Sequence, residues 1–401
     1  MRHVSRAALT VTGHDCKRFN KPPVVMHVAP GYWAGDPRLF HLECWTLERA
    51  GYHVELVAHA APEEECQYGL NFYSLGSLRQ PSWKWRILAR LRRSYRAYLL
   101  AKKSEAAIFH IHSPEFIVLG SRLARRMGRK VIFDCREDFE GYVLQRNGIP
   151  AFLRKSMAVL VRKQLEWASS RYDAVVVADR GTGRRFEGRA RRLVILHNFP
   201  RLELFPYEVI PDEQKSFDVV YHGSIPKSHL ETLLGIDEAL LQLGLAVRWR
   251  LINKGAPHIE WFLSELRRRD ALARFTVDGR VPHEQIAGEI RKARIGIIPL
   301  ADLPKFRNNI PRKLFEFMAL GMPVVMSDLP PSRAFVRDGR TALLVPPNDC
   351  RAYADAIRQL LNDSPLRYKM GAEARKLVEM EFNWQKESEK LLGLYADLTA
   401  D

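Results

Sequence analysis

Short apolar runs recur along this chain, and the stretches between them carry apolar residues at helical spacing. Residues 24–29, 53–58, 107–112, 130–134 and 174–178 read as a first series of strands. Residues 217–221, 248–252, 275–278, 295–299, 323–326 and 342–345 read as a second. Strands alternating with helices predict an α/β architecture with parallel sheets. The first strand runs into a glycine-containing loop at 30–35; Asp36 then caps a helix, Pro37 fits its first turn and Gly51 ends it. After Pro200 the texture turns loop-like, with Pro206, Pro211 and a polar run at 212–216. The expected organisation is a basic leader at 1–23, one Rossmann-like domain at 24–205, a second at 216–382 and a final helical stretch at 383–401.

Residues 308–325 hold the most chemistry. They read as loop, short helix, tight turn and buried strand. Asn309 can cap the helix, and Pro311 suits its first turn. Gly321 suits the left-handed position that ends it, and Pro323 prevents continuation. The helix start is then a patch of free amides beside Arg312 and Lys313, a site for phosphate. Glu316 lies four residues beyond Arg312, about 6 Å along the axis. A carboxylate there can take two ribose hydroxyls. Helical spacing alone also predicts a plain Arg312–Glu316 ion pair.

Charge changes the picture more than composition does. The chain of 401 residues has a formal net charge of +17, which favours anionic partners. Its length suggests two domains. Five scattered cysteines without a C-x-x-C pair argue for a reducing compartment and against a disulfide framework or structural zinc. No apolar run approaches the roughly 18 residues of a membrane span. The polar first 23 residues lack the apolar core of a secretory signal, so the chain is expected in the cytoplasm.

Further site candidates sit at strand ends. Gly31 lets backbone approach a phosphate or acceptor closely, or is a simple turn glycine. His110 and His112 alternate on a strand and share a face that can meet the crevice. Neither has a cysteine or carboxylate companion at ligand spacing, so no metal is expected. Asp134 and Glu137 suit acceptor binding or proton transfer; strand-end capping and ion pairs with Arg136 or Arg38 are the plainer alternative.

Residues 83–103 form an acid-free segment with eight Lys/Arg and apolar residues at helical spacing. Trp85, Arg90, Arg92, Arg93 and Arg96 then belong to a helix suited to an anionic membrane surface, or to a solvated basic face packed on the first domain. A second basic helix is expected at 154–171. No motif for reading bases is present, so nucleic acid is not an expected partner.

Several motifs together resemble the family 4 retaining glycosyltransferases. Pro311 to Val325 is similar to that family's P-x-K-L-F-E-Y-M-A-x-G-x-P-V-V, with Phe317 for Tyr. Asp36-Pro37-Arg38-Leu39-Phe40-His41 resembles D-P-R-I-F-H, and His110-Ile111-His112-Ser113-Pro114 resembles H-x-H-D-P. Asp134 to Asp138 is similar to D-x-H-E-D, with Arg136 in place of His. Tyr221-His222-Gly223 resembles Y-x-G, and residues 338–346 resemble D-G-x-x-G-x-L-V-P, with Ala342 for the second Gly. The resemblance spans nearly all of the chain beyond residue 23.

The resemblance implies a GT-B fold: two Rossmann-like domains facing a cleft, donor on the second, acceptor on the first, the last helix crossing back. It implies a nucleotide-diphosphate sugar donor and a glycan or lipid-linked acceptor, without cofactor or bound metal. In the family's Glu-x7-Glu pair, Glu316 matches the ribose-binding member, and Asn308 stands where the donor-sugar Glu is usual. His112 and Asn308 are the implied catalytic groups. Gly223 and Lys227 fall in the loop that meets the donor diphosphate, where Lys227 is the one firm cation. The implied setting is surface polysaccharide assembly, peripheral at the inner face of the cell membrane. A GT-B sugar-nucleotide epimerase and a non-catalytic nucleotide- or glycan-binding protein remain open.

Overall fold

The computed structural model describes residues 22–59, 70–76, 83–145, 149–253, 255, 258–307 and 309–400. The leader up to residue 21 and Asn308 lie outside the described residues, as does the side chain of Trp85. Among the described residues, no helix is long and apolar enough to cross a membrane.

Two parallel sheets organise the molecule. The first contains β1 (Val24–Trp33), β2 (His53–His59), β3 (Asn71–Ser74), β4 (Ile108–Ile111), β5 (Lys130–Cys135), β6 (Ala174–Val177) and β7 (Leu193–Ile195). Their order is β3-β2-β1-β4-β5-β6-β7. The second contains β8 (Phe217–Gly223), β9 (Trp249–Asn253), β10 (Phe275–Asp278), β11 (Ala293–Ile298), β12 (Val324–Ser327) and β13 (Leu343–Val345), in the order β10-β9-β8-β11-β12-β13. Strand order reverses beside β1 in one sheet and beside β8 in the other. Ligands of doubly wound sheets bind at such points, outside the carboxyl ends of the strands.

Two strands depart from the sequence expectation. β3 and β7 are short edge strands: β3 is bounded by Asn71 and Ser74, and β7 has only three apolar residues, each half-buried, unlike the longer buried central strands. β1 also continues into the expected loop, so Gly31 lies in the strand, where the pairing with β2 shifts register between Ala29 and Trp33.

The pleat of β1 separates two cores. Met26 and Val28 face the helices Trp83–Lys103, Ile117–Met127 and Ala151–Ser169. Val25 and Ala29 face Leu39, Leu42 and the last helix, Trp384–Ala400. That helix contributes Trp384, Leu391, Leu394, Tyr395 and Leu398 to the first lobe's core. Asp36 caps a π-helical turn, Pro37–Cys44, by accepting from the Leu39 amide. All eight residues of this turn are buried, so Arg38, His41 and Glu43 point inward together.

The lobes meet through aromatic and charged groups. Phe199 packs on Phe315 with ring centroids 4.6 Å apart. Arg280 covers the Trp33 ring at 3.5 Å. His41 lies 3.7 Å from Glu284, and burial lowers its imidazole pKa to about 4.

Candidate functional site

A cleft of about 590 Å³ lies between the lobes. Arg136, Glu137, Asp179, His197 and Asn198 form its first-lobe wall; Asn309, Ile310, Arg312 and Phe315 form the other. The sequence reading named Glu137, Asn309 and Arg312 among these.

The second-lobe wall is built on the helix Arg312–Ala319. Pro311, not Asn309, occupies its N-cap position, and no side chain caps it. Leu314, Phe315, Phe317 and Met318 bury the helix in the lobe's core. Gly321 ends it with a left-handed φ of 63°. Asn309 lies before the helix, and its buried Oδ1 accepts no hydrogen bond among the described residues. Glu316 is buried: Arg312 Nε stands 2.8 Å from Oε1, and His222 Nε2 lies 3.4 Å from Oε2. The ion pair that helical spacing predicts is therefore present, and it fixes the carboxylate at the end of β8.

Gly223 ends β8 with φ at 102°, a conformation that strains any residue with a Cβ. A Cβ there would come within 3.7 Å of Lys313 Nζ. Lys313 itself lies over the Tyr221 ring, 3.6 Å from its centroid. Gly223, Lys313, Glu316 and His222 are thus gathered at the switch point of the second sheet. Lys227 is turned elsewhere: half-exposed, it pairs with Glu231 at 3.4 Å and lies over Trp261.

The first-lobe wall has a deeper second layer. His112 and Asp134 are fully buried and do not line the cleft, which corrects the expectation of direct substrate contact. Asp134 accepts from Arg38 Nε at 3.1 Å and Arg136 Nε at 2.7 Å. Burial alone would raise its pKa, but these two guanidiniums hold it well below the usual carboxylate range. His112 Nδ1 lies 3.2 Å from Asp134 Oδ2 and 2.7 Å from Arg136 NH2. Burial, reinforced by Arg136, lowers its pKa to about 3, so the ring is neutral. Arg136 also donates to Asp36 at 2.7 Å, and it brings this network to the cleft surface.

Gly31 packs tightly as well. Its amide donates to Ser113 Oγ at 2.9 Å, and a Cβ would meet Glu115 Oε1 at 2.9 Å. The close approach is to β4's own following turn, which corrects the expected approach to a ligand.

Sequence reasoning overlooked Arg136, Asp179, His197 and Asn198 as wall residues, and the buried His27 and Glu43 behind them. Glu387, on the last helix, accepts from the His197 amide at 2.8 Å and lies 3.4 Å from its Nδ1. The ring also stacks on Phe199 at 4.8 Å. No local motif marks this histidine. The Asp36–His41 stretch was the one sequence signal pointing toward Glu43, two residues beyond it.

Of the helix Trp83–Lys103, Ala97 and Ala101 are buried in the first lobe. Arg92 and Arg96 are exposed, whereas Arg90 and Arg93 are half-buried. The outward basic face is narrower than the sequence suggests.

Two doubly wound lobes with their switch points at a shared cleft define a GT-B architecture. Family models match each lobe: Glycosyltransferase Family 4 over residues 38–203 and Glycosyl transferases group 1 over residues 216–363. The chain belongs to the GT-B glycosyltransferases of this family 4 and group 1 type. Alpha-D-kanosaminyltransferase of Streptomyces kanamyceticus is 28% identical over 142 residues, 35% of either chain. Phosphatidyl-myo-inositol mannosyltransferase of Mycobacterium leprae is 38% identical over 82 residues, 20% of this chain and 22% of that one. The match thus spans about a third of those relatives' length at most. Solved structures match further. Sucrose-phosphate synthase from Thermosynechococcus elongatus covers 95% of this chain and 100% of its own, at TM-score 0.70 and 20% identity. Anabaena Alr3699/HepE in complex with UDP and glucose covers 94% and 100%, at TM-score 0.69 and 13% identity.

Proposed function

We propose that this protein is a retaining glycosyltransferase that moves a sugar from a nucleotide-diphosphate sugar to a glycan or lipid-linked acceptor in surface polysaccharide assembly. The carrying observation is the second-lobe cluster, where buried Glu316 is fixed by Arg312 and His222 beside the bare backbone of Gly223 and the Lys313 ammonium. Glu316 takes the ribose hydroxyls. Arg312, Lys313 and the amides at the helix start neutralise the diphosphate as it leaves, so no metal is needed there. Asn309, whose buried Oδ1 has no hydrogen-bond partner among the described residues, binds the donor sugar, and the family resemblance gives Asn308 the same role. Same-face attack retains configuration, with a donor phosphate oxygen taking the acceptor proton. Glu137 and Arg136 meet the acceptor, while His112 and Asp134 hold Arg136 in place. The transferases among the relatives, and the UDP and glucose of the Anabaena structure, support this reading.

Membrane contact belongs to the same proposal. Leu91, Tyr95 and Leu99 are exposed on the helix Trp83–Lys103, and Phe152 and Leu160 on Ala151–Ser169, Phe152 at 80%. Both helices pack on Ile117–Met127, so these side chains belong to one outer layer of the first lobe. Arg92, Arg96, Arg162 and Lys163 are exposed among them. Apolar groups interleaved with cations suit an anionic leaflet, each cation contributing about 1 kcal/mol.

The test is a thermal-shift screen with UDP, GDP and their sugars, followed by label transfer. A ligand at 100 times its Kd adds about 2.7 kcal/mol to stability. A nucleotide-dependent rise in Tm with transfer to an acceptor is expected. No rise with any nucleotide would sink the reading; a rise without transfer would leave a binding protein.

A further inference from the structure

Three strand histidines converge on one helical carboxylate inside the first lobe. His27 on β1 is the register partner of His110 on β4, and His112 follows two residues later on the same face. Glu43 covers them from the π-helical turn. All four are fully buried. One ligand atom from each lies within 4.8 Å of every other. His27 Nδ1 is 2.9 Å from His112 Nε2, and these two atoms lie 3.9 and 3.8 Å from Glu43 Oε2. Tetrahedral zinc with arms of about 2.0–2.2 Å sets its ligands roughly 3.4 Å apart, within this spread.

The outward atoms are already held. His112 Nδ1 lies 2.7 Å from Arg136 NH2 and 3.2 Å from Asp134, and His110 Nδ1 lies 2.9 Å from the Tyr395 hydroxyl. His27 Nε2 faces the same hydroxyl at 3.4 Å, and Arg38 Nε stands 2.6 Å from Glu43 Oε1. Partners of this kind orient metal ligands and fix their tautomers. The inward side is left short: among the described residues, His110 Nε2 and Glu43 Oε2 have no hydrogen bond of good geometry, despite full burial.

We propose that His27, His110, His112 and Glu43 bind one zinc ion sealed inside the first lobe. Imidazole and carboxylate donors suit zinc, and four protein ligands without solvent make a closed, structural site. The ion sits behind the cleft and takes no part in transfer. It holds the layer that carries Arg136. The inference does not depend on the transferase reading.

The test uses the full chain without a histidine tag. Elemental mass spectrometry should find about one zinc per chain, the stoichiometry of a single structural site. Stripping with a chelator should lower Tm, and zinc but not magnesium should restore it. Cobalt in place of zinc should give the visible absorption of a four-coordinate site. Tyr395→Phe should keep the fold and weaken zinc affinity about ten- to a hundredfold, as loss of an orienting partner does. A chain that retains no zinc and shows no zinc-dependent Tm would overturn the proposal and leave a proton shared among the four residues. Equal zinc retention by wild type, Glu43→Gln and His110→Gln would overturn it too, by putting the ion elsewhere.

Discussion

The two lobes share a strand order but treat its reversal point differently. In the first lobe the polar groups there are buried against one another: His112, Asp134, Arg38 and Arg136 occupy each other's hydrogen-bonding positions. In the second lobe the cluster is smaller, and its edge reaches the cleft through Arg312 and Asn309. One switch point is filled by the protein's own side chains; the other keeps polar capacity for a ligand. A shared topology therefore supplies two crevices but not two equivalent sites. The first-lobe network should answer to stability, and the second-lobe cluster to nucleotide.

The largest expected effect is structural. Arg38→Ala strips Asp134 and Glu43 of a buried counter-charge and should cost roughly 3–5 kcal/mol in urea denaturation. A loss within error of zero would break the contrast from the first-lobe side. Glu316→Ala should instead leave a folded protein whose affinity for the nucleoside diphosphate drops by about 1.5–3 kcal/mol, the scale of a hydrogen bond to a charged group. Titration calorimetry decides it; unchanged affinity in a folded variant removes Glu316 from the site. Replacing Arg92 and Arg96 with Gln should reduce binding to anionic vesicles by about 2 kcal/mol, with nucleotide binding untouched. Equal flotation of variant and wild type would make that helix a solvated face only.

The smallest effect is a pH dependence. Burial alone would raise the Glu387 pKa, but hydrogen bonds with His197 and Lys390 hold it below 4.5. Its contribution to stability is therefore complete above 4.5 and is lost as pH falls through the lower folded value. Glu387→Gln should lower the urea midpoint at neutral pH and flatten its acid limb. Parallel curves for variant and wild type would remove this link between the last helix and the cleft.

Local signals were legible where one segment carries the whole pattern. Pro311, Gly321 and Pro323 frame the helix Arg312–Ala319, and the acid-free run at Trp83–Lys103 became a helix of the same bounds. Central strands were legible from apolar runs, whereas β3 and β7, at the sheet edges, were not. The buried first-lobe network was illegible as a unit, because its members come from β1, the π-helical turn, β4 and β5. Sequence spacing can expose ligands on one helix or strand. It cannot show that Glu43 folds over His110, which depends on how the turn packs on the sheet. The narrowed basic face has a similar cause, since burial of Arg90 and Arg93 is set by neighbours and not by composition.

The crossing helix also sets a timetable. β7, the last strand of the first lobe, ends at Ile195, and the helix that fills that lobe's core begins at Trp384, 189 residues later. At about 5–20 residues per second, synthesis needs roughly 10–40 s to cover that distance. The lobe made first is thus completed last, with Val25, Leu39 and Leu56 awaiting Trp384 and Tyr395 while the other lobe is being made.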